Sequence, residues 1–211
     1  MPKPPEEGLI WEWRAFGRLP LDLKARVDAL PVRAGIQDVH DLDIYLISPR
    51  NNQNVKLRRL GARWVLKLKQ LLETLSSGID LYREGMNMIY ELPVSLERVE
   101  EAAVLLETDI SNPTTPSHRV DRAELVQLFR AASPPVCVVE APKVRSQFLI
   151  EKGWVELADV EFPKRRIQTI SVHSHDRAVV EETLSNLDCT DSIAPNCLEA
   201  MNYVEACRRW A

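Results

Sequence analysis

Glycine is scarce in this chain, with seven in 211 residues, about half the number expected at the usual ~7% frequency. None falls into GxGxxG or GxxxxGK[ST], so Rossmann and P-loop phosphate cradles, which need glycine where backbone approaches phosphate, are disfavoured. Long apolar runs are also missing. No stretch approaches the ~18 uncharged apolar residues of a membrane span, and the opening Met1-Pro2-Lys3-Pro4-Pro5-Glu6-Glu7 has no apolar leader core. A cytoplasmic protein without a membrane partner is the expectation. The four cysteines, Cys137, Cys189, Cys197 and Cys207, form no CxxC, which leaves zinc-ribbon and redox-pair readings without a spacing to support them. Basic residues are not in excess either: 27 Lys and Arg against 31 Asp and Glu give a net charge of −4. There is no global field to draw nucleic acid or an anionic membrane, and any basic patch must be local.

What is present is ordinary globular matter, 45% hydrophobic and 27% charged. The length suits one large domain or two small ones. The only linker-like stretch, Asp109 to His118 (DISNPTTPSH), is short, so a single domain over 1–211 is expected. Period-2 alternation marks a strand over Leu9 to Gly17, another over Leu42 to Ser48, and a hairpin of Val55–Arg58 with Ala62–Lys69 around Gly61. Ile79 to Leu92 reads as a further strand interrupted near Gly85. Helical spacing follows over residues 20–30, Ser95 to Glu107 with Ser95 as cap, and Asp121 to Ala132. Strands return over Val136–Ile150, Trp154–Phe162 and Arg166–Ser174, and helices over Asp176–Leu187 and Cys197–Trp210 close the chain. Strands with helices inserted midway and appended at the end point to α+β, with an antiparallel sheet or barrel.

In a strand, side chains two apart share a face. Lys56 sits with Arg58, Arg63 with Lys67 and Lys69, Lys143 with Arg145, and Glu12 with Arg14, while Trp11, Trp13, Trp64, Leu66 and Leu68 take the opposite faces. On an open sheet these bases would be solvated charges. In a closed or nearly closed barrel with helices packed outside, they would line a lumen. Several enclosed cations are costly unless counter-charges or an anionic ligand share the space, and a polyanion such as triphosphate is the guest such a lumen would suit.

These stretches, in this order, resemble the triphosphate tunnel metalloenzymes, the CYTH superfamily of adenylyl cyclase and thiamine triphosphatase, over nearly the whole chain. Ile10-Trp11-Glu12-Trp13-Arg14 is similar to the family's E-x-E-x-K, Asp43-Ile44-Tyr45 to its D-x-Y, and Lys56-Leu57-Arg58, Lys67-Leu68-Lys69 and Lys143-Val144-Arg145 to its basic pairs. Glu91 before Pro93, and Asp159, resemble further acids of the pattern, and Asn202-Tyr203 resembles its Ser-Tyr near a closing helix. The resemblance implies a tunnel in which Arg14, Lys56, Arg58, Lys67, Lys69, Lys143 and Arg145 hold a phosphorylated small molecule or polyphosphate. It also implies Mg²⁺ or Mn²⁺ on carboxylates, which here would be Glu12, Glu91 and Asp159 in the metal and catalytic roles. The acid pairs are depleted: Ile10 and Ile89 replace one member of two pairs, and Ser171 and His173 replace both members of a third. A hard divalent ion wants several oxygen ligands, so a binding tunnel with weak or absent hydrolysis is the leading expectation. An active metal-dependent triphosphatase, with Glu140, Glu156 or Glu161 supplying the missing acids, is the alternative. A non-catalytic interaction scaffold is the third. His173 and His175, two apart, could join Glu12 in a transition-metal site, though a histidine standing in for a carboxylate in a polar lumen is the simpler reading. Lys164-Arg165-Arg166 reads as a solvated turn. Sequence alone leaves the oligomeric state open.

Overall fold

The computed structural model describes residues 8–31, 33–110, 119–189 and 198–211, the side chain of Gln37 apart. In chain order the strands are β1 (Leu9–Gly17), β2 (Ala34–Ile47), β3 (Asn54–Leu60), β4 (Arg63–Thr74), β5 (Ile79–Arg83), β6 (Ile89–Glu91), β7 (Val94–Ser95), β8 (Arg119–Val120), β9 (Cys137–Ile150), β10 (Gly153–Phe162), β11 (Arg165–Ser174) and β12 (Leu198–Ala200). The helices are α1 (Leu23–Ala29), α2 (Leu96–Leu105), α3 (Arg122–Arg130), α4 (Arg177–Asn186) and α5 (Tyr203–Trp210).

Eight strands run round a closed ring in the order β1-β5-β4-β3-β2-β9-β10-β11, and β11 pairs back onto β1 with every neighbour antiparallel. Closure removes the free edges that an open sheet would present. β12 extends the β5 side of β1, and β6 pairs with Val65–Lys67 of β4 on the same edge that β5 takes further along. The expected α+β barrel is therefore the observed architecture.

Alternation along the strands fixes what faces outward. Ile44, Leu46, Val55, Leu57, Leu66 and Leu68 lie under α2 and α3, in one core with Val99, Leu106, Leu125 and Phe129. Trp13, Ala15, Phe148, Val155, Ile170 and Val172 lie under α1 and α4, in a second core with Leu23, Val27, Val180 and Leu184. Burying a large aliphatic side chain is worth ~1.5–3 kcal/mol, so these faces commit the opposite, charged faces to the barrel interior.

The fifth helix packs differently. Its Tyr203, Val204, Ala206, Cys207 and Trp210 meet Phe16, Tyr45, Ile47, Val139, Ala141, Val160, Phe162 and Ile167. Those strand residues share the inward parity of the charged ones, so α5 plugs one end of the barrel with an apolar core. A capping box starts the helix: Asn202 accepts from the Glu205 N–H, and Glu205 accepts from the Asn202 N–H. The helix therefore begins at Tyr203, later than the expected Cys197, which lies outside the described residues together with His118.

Other boundaries shift as well. β2 begins at Ala34 rather than Leu42, because it continues past an irregularity between Ile36 and Val39 where Asp38 takes a positive φ of 53°. Ser95 sits at the N-cap of α2, but its side chain makes no capping hydrogen bond. Ile79 to Leu92 is two strands rather than one, parted by a short 3₁₀ turn at Met86–Met88.

Candidate functional site

Above the α5 plug, the barrel encloses a cavity of about 270 Å³, near the small end of ligand pockets. All seven cations singled out in the sequence line it: Arg14 from β1, Lys56 and Arg58 from β3, Lys67 and Lys69 from β4, Lys143 and Arg145 from β9. Glu12, Glu84 and Glu156 share the wall, and Asp41 and Asp43 reach the cations from β2. Seven cations thus meet five carboxylates, leaving two positive charges in excess.

The pairing is specific. Asp43, wholly enclosed, accepts from Lys56 Nζ at 3.1 Å, Lys143 Nζ at 2.9 Å, and Arg58 through Nε at 2.8 Å and Nη2 at 2.9 Å. Glu156 accepts from Arg14 at 3.3 Å, Arg145 at 3.2 Å and the Gln147 amide at 3.1 Å. Glu12 accepts from Arg14 Nε at 2.9 Å and from Lys69. Glu84 accepts from Lys67 and lies 3.2 Å from Lys69, so Lys69 bridges two carboxylates of different strands. Arg14, Lys56 and Lys143 also stand over the Tyr203 ring, at 4.4, 5.8 and 5.0 Å from its centroid.

Burial and charge set the protonation states. Burial alone would raise the Glu12 and Asp43 carboxyls, but the cations around them hold both well below the usual range. Against the same burial, Lys69 and Lys67 hold Glu84 at about 2. Lys56 and Lys67 are pushed below the ordinary lysine value by burial and by the neighbouring Arg58, with Asp43 and Glu84 only partly opposing. Burial pushes His173 down to about 4, so its imidazole is neutral at pH 7. That ring stacks on Trp154 at 4.9 Å, its Nε2 is 2.8 Å from Ser171 Oγ, and its Nδ1 stops 3.5 Å from Glu12. The Tyr203 hydroxyl, Asn54 Oδ1 and His173 Nδ1 are buried on this wall without a protein hydrogen bond.

The structure does not bring the three expected metal-holding acids together. Glu12 is in the cavity. Glu91 is exposed on β6, opposite Val65 of β4 and 3.3 Å from Arg63. Asp159 has the outward parity of β10, three residues from the inward Glu156, and is exposed. Of the substitutes considered, Glu156 faces the lumen, whereas Glu140 and Glu161 are exposed. His175 is exposed and bonded to the Leu9 carbonyl. Glu84 and Asp41 were not singled out from the sequence. The signal for Glu84 was the alternation Asp80, Tyr82, Glu84 against Leu81 and Arg83.

No family model matches the chain, and neither does any curated protein. Solved structures do. A Bacillus halodurans protein is 12% identical with a TM-score of 0.54, covering 94% of this chain and 98% of its own. A Pyrococcus horikoshii protein is 15% identical with a TM-score of 0.53, covering 92% and 98%. A Hippeastrum protein described as having a dominant triphosphatase activity is 15% identical with a TM-score of 0.50, covering 95% of each chain. At such identities the likeness is one of fold. What the chain shares with these proteins is the barrel fold, over nearly its whole length.

Proposed function

We propose that the barrel lumen binds a phosphorylated anion, a triphosphate or similar polyphosphate group, through its seven cations and without a bound metal ion. The observation that carries this reading is the surplus of positive charge on one enclosed wall. Enclosed cations repel one another and lose hydration, and the depressed Lys56 and Lys67 register that cost. An anion entering the cavity would relieve it. Arg14, Arg58 and Arg145 offer planar donor forks suited to phosphate oxygens, and the four lysines offer compact charges.

Divalent-metal chemistry, which the superfamily implies, does not fit the donor set. Mg²⁺ and Mn²⁺ need several free oxygen ligands, yet Glu12, Asp43, Glu84 and Glu156 each accept from at least two cationic or amide donors. Among the described residues no three His, Cys, Asp or Glu come together as a metal's ligands. His173 and Ser171 stand where further carboxylates would be needed, and both are neutral donors or acceptors.

The test is titration calorimetry of the full chain with inorganic triphosphate in the presence of EDTA. Saturable, salt-sensitive binding is expected, weakened about tenfold or more by Lys67→Ala, since losing a charge-assisted hydrogen bond costs ~1.5–3 kcal/mol. Lys164→Ala, on an exposed turn, should change little. Absence of binding, or equal effects of the two substitutions, would overturn the lumen site in favour of an inert scaffold. Metal-dependent phosphate release abolished by Glu12→Gln would instead establish a triphosphatase, as described for the Hippeastrum protein.

A further inference from the structure

The interior of the barrel is layered along its axis. On β9 the inward positions run from Val139 and Ala141 in the plug, through Lys143 and Arg145 in the charged belt, to Gln147 and then Leu149. On β2 the corresponding ladder ends at Ile36, opposite Gln147, and Ala34, opposite Leu149. On β10 it ends at Trp154, opposite Leu149. Beyond the belt lies a slot of about 310 Å³ formed by Ala34, Gly35, Ile36, Gln147, Leu149 and Trp154. Gln147 and Trp154 line both spaces, so the slot adjoins the lumen.

The slot's chemistry differs sharply from that of the lumen. Its only polar side chain besides the indole is Gln147, which gives one amide N–H to Glu156. Leu149 and Ile36 are 47% and 58% exposed beside this mouth, although large apolar side chains elsewhere on the strands are largely buried. One face of Trp154 is covered by His173, and Gly153 holds that strand end close, since a Cβ there would lie 2.2 Å from the His173 carbonyl oxygen. A nucleobase placed in the slot would meet a mostly apolar wall, with only the indole N–H and the remaining amide groups of Gln147 for its many ring nitrogens and exocyclic groups, and leaving the rest unpaired is penalised. A hydrocarbon group has no such requirement.

We infer that the phosphorylated ligand of the tunnel carries an aliphatic group, as an alkyl or prenyl phosphoanion does, with its phosphates on the cationic belt and its first carbons in the slot between Ile36, Leu149 and Trp154. This inference rests on the tunnel reading above and adds the organic half of the ligand. Burial of two methylene groups suffices for about a tenfold gain in affinity.

The experiment compares, by calorimetry on the full chain, inorganic diphosphate with geranyl diphosphate and inorganic triphosphate with ATP. The expected result is geranyl diphosphate bound at least tenfold more tightly than diphosphate, with ATP bound no more tightly than triphosphate. Ile36→Ser with Leu149→Ser, both exposed positions, should erase the geranyl advantage while leaving affinity for the inorganic anions unchanged. Equal affinities for the geranyl and inorganic diphosphates, a geranyl advantage that survives the double substitution, or a clear preference for ATP over triphosphate would each overturn the aliphatic slot and leave the cationic belt standing. Failure of the wild-type protein to bind either inorganic anion would remove the belt, and the slot's role with it.

Discussion

Lys143 and Asp43 form the most enclosed ion pair among the described residues, with Nζ 2.9 Å from Oδ2 and side-chain exposures of 1% and 0%. Because Lys56 and Arg58 converge on the same carboxylate, Asp43 is the internal counter-ion for three of the lumen's seven cations. A buried charge stripped of its partner is strongly destabilising. Asp43→Asn should therefore lower stability in urea unfolding by ~3–5 kcal/mol, and inorganic triphosphate should restore part of that loss by supplying the missing negative charge. A loss under ~1 kcal/mol would show that the three cations are not held by Asp43.

The lumen was legible in the sequence where strand parity was unambiguous. Lys56 and Arg58, or Lys67 and Lys69, flank outward leucines at Leu57 and Leu68, and no other register buries those leucines against helices. Asp159 is singled out by motif likeness alone, and its parity opposes that of Glu156. Glu91 has the parity of Lys67 but stands opposite Val65, past the last lumen cation of β4, so it pairs with the exposed Arg63 instead of entering the cavity. Insertion of Tyr203 into the barrel end, where it stacks on Tyr45 with ring centroids 5.1 Å apart, was equally invisible. Helical amphipathicity indicates that a face is buried but not which surface buries it.

The neutral His173 gives stability a defined pH dependence. Its imidazole is held at about 4 in the folded protein against an ordinary 6.5, so between these values the unfolded chain binds the proton more readily. Stability contributed by the neutral ring is complete above pH ~6.5 and is lost as pH falls towards 4. His173→Gln, which cannot titrate, should flatten the slope of unfolding free energy across that window while leaving the steeper loss below it, where Glu84 protonates on the way to about 2. An unchanged slope between pH 6.5 and 4 would show that burial does not hold His173 below its ordinary value.

Binding of a polyanion should be accompanied by proton uptake. Lys56 and Lys67 are depressed by burial and by neighbouring cations, so at a pH near the lowered values a fraction of each is neutral, and a bound anion would raise both again. Calorimetry at a series of pH values below the ordinary lysine range, in two buffers of different ionisation enthalpy, should report net proton uptake on triphosphate binding, reduced in Lys67→Arg because guanidinium does not titrate. Affinity should fall as pH rises through the lysine range. Binding with no proton linkage in that range would place the phosphates away from these two lysines.

The sharpest test of the missing acids is to restore them. Residue 173 is directly opposite Glu12 across the β1–β11 pair, and Ser171 is the next inward position, its Oγ 2.8 Å from His173 Nε2. Ser171→Glu with His173→Glu would place two carboxylates beside Glu12, from adjacent strands, in a cavity whose surplus of two positive charges can tolerate them. Three carboxylates on facing strand positions are a donor set of the kind hard divalent ions take, whereas hydroxyl and neutral imidazole are not. The double variant should bind Mn²⁺ by calorimetry and gain thermal stability from it, since a ligand bound only by the folded state stabilises by mass action, while the wild-type protein should do neither. Mn²⁺ binding by the wild-type protein, lost on Glu12→Gln, would show that Glu12 releases Arg14 and Lys69 to take up a metal, and the metal-free reading of the tunnel would have to be given up.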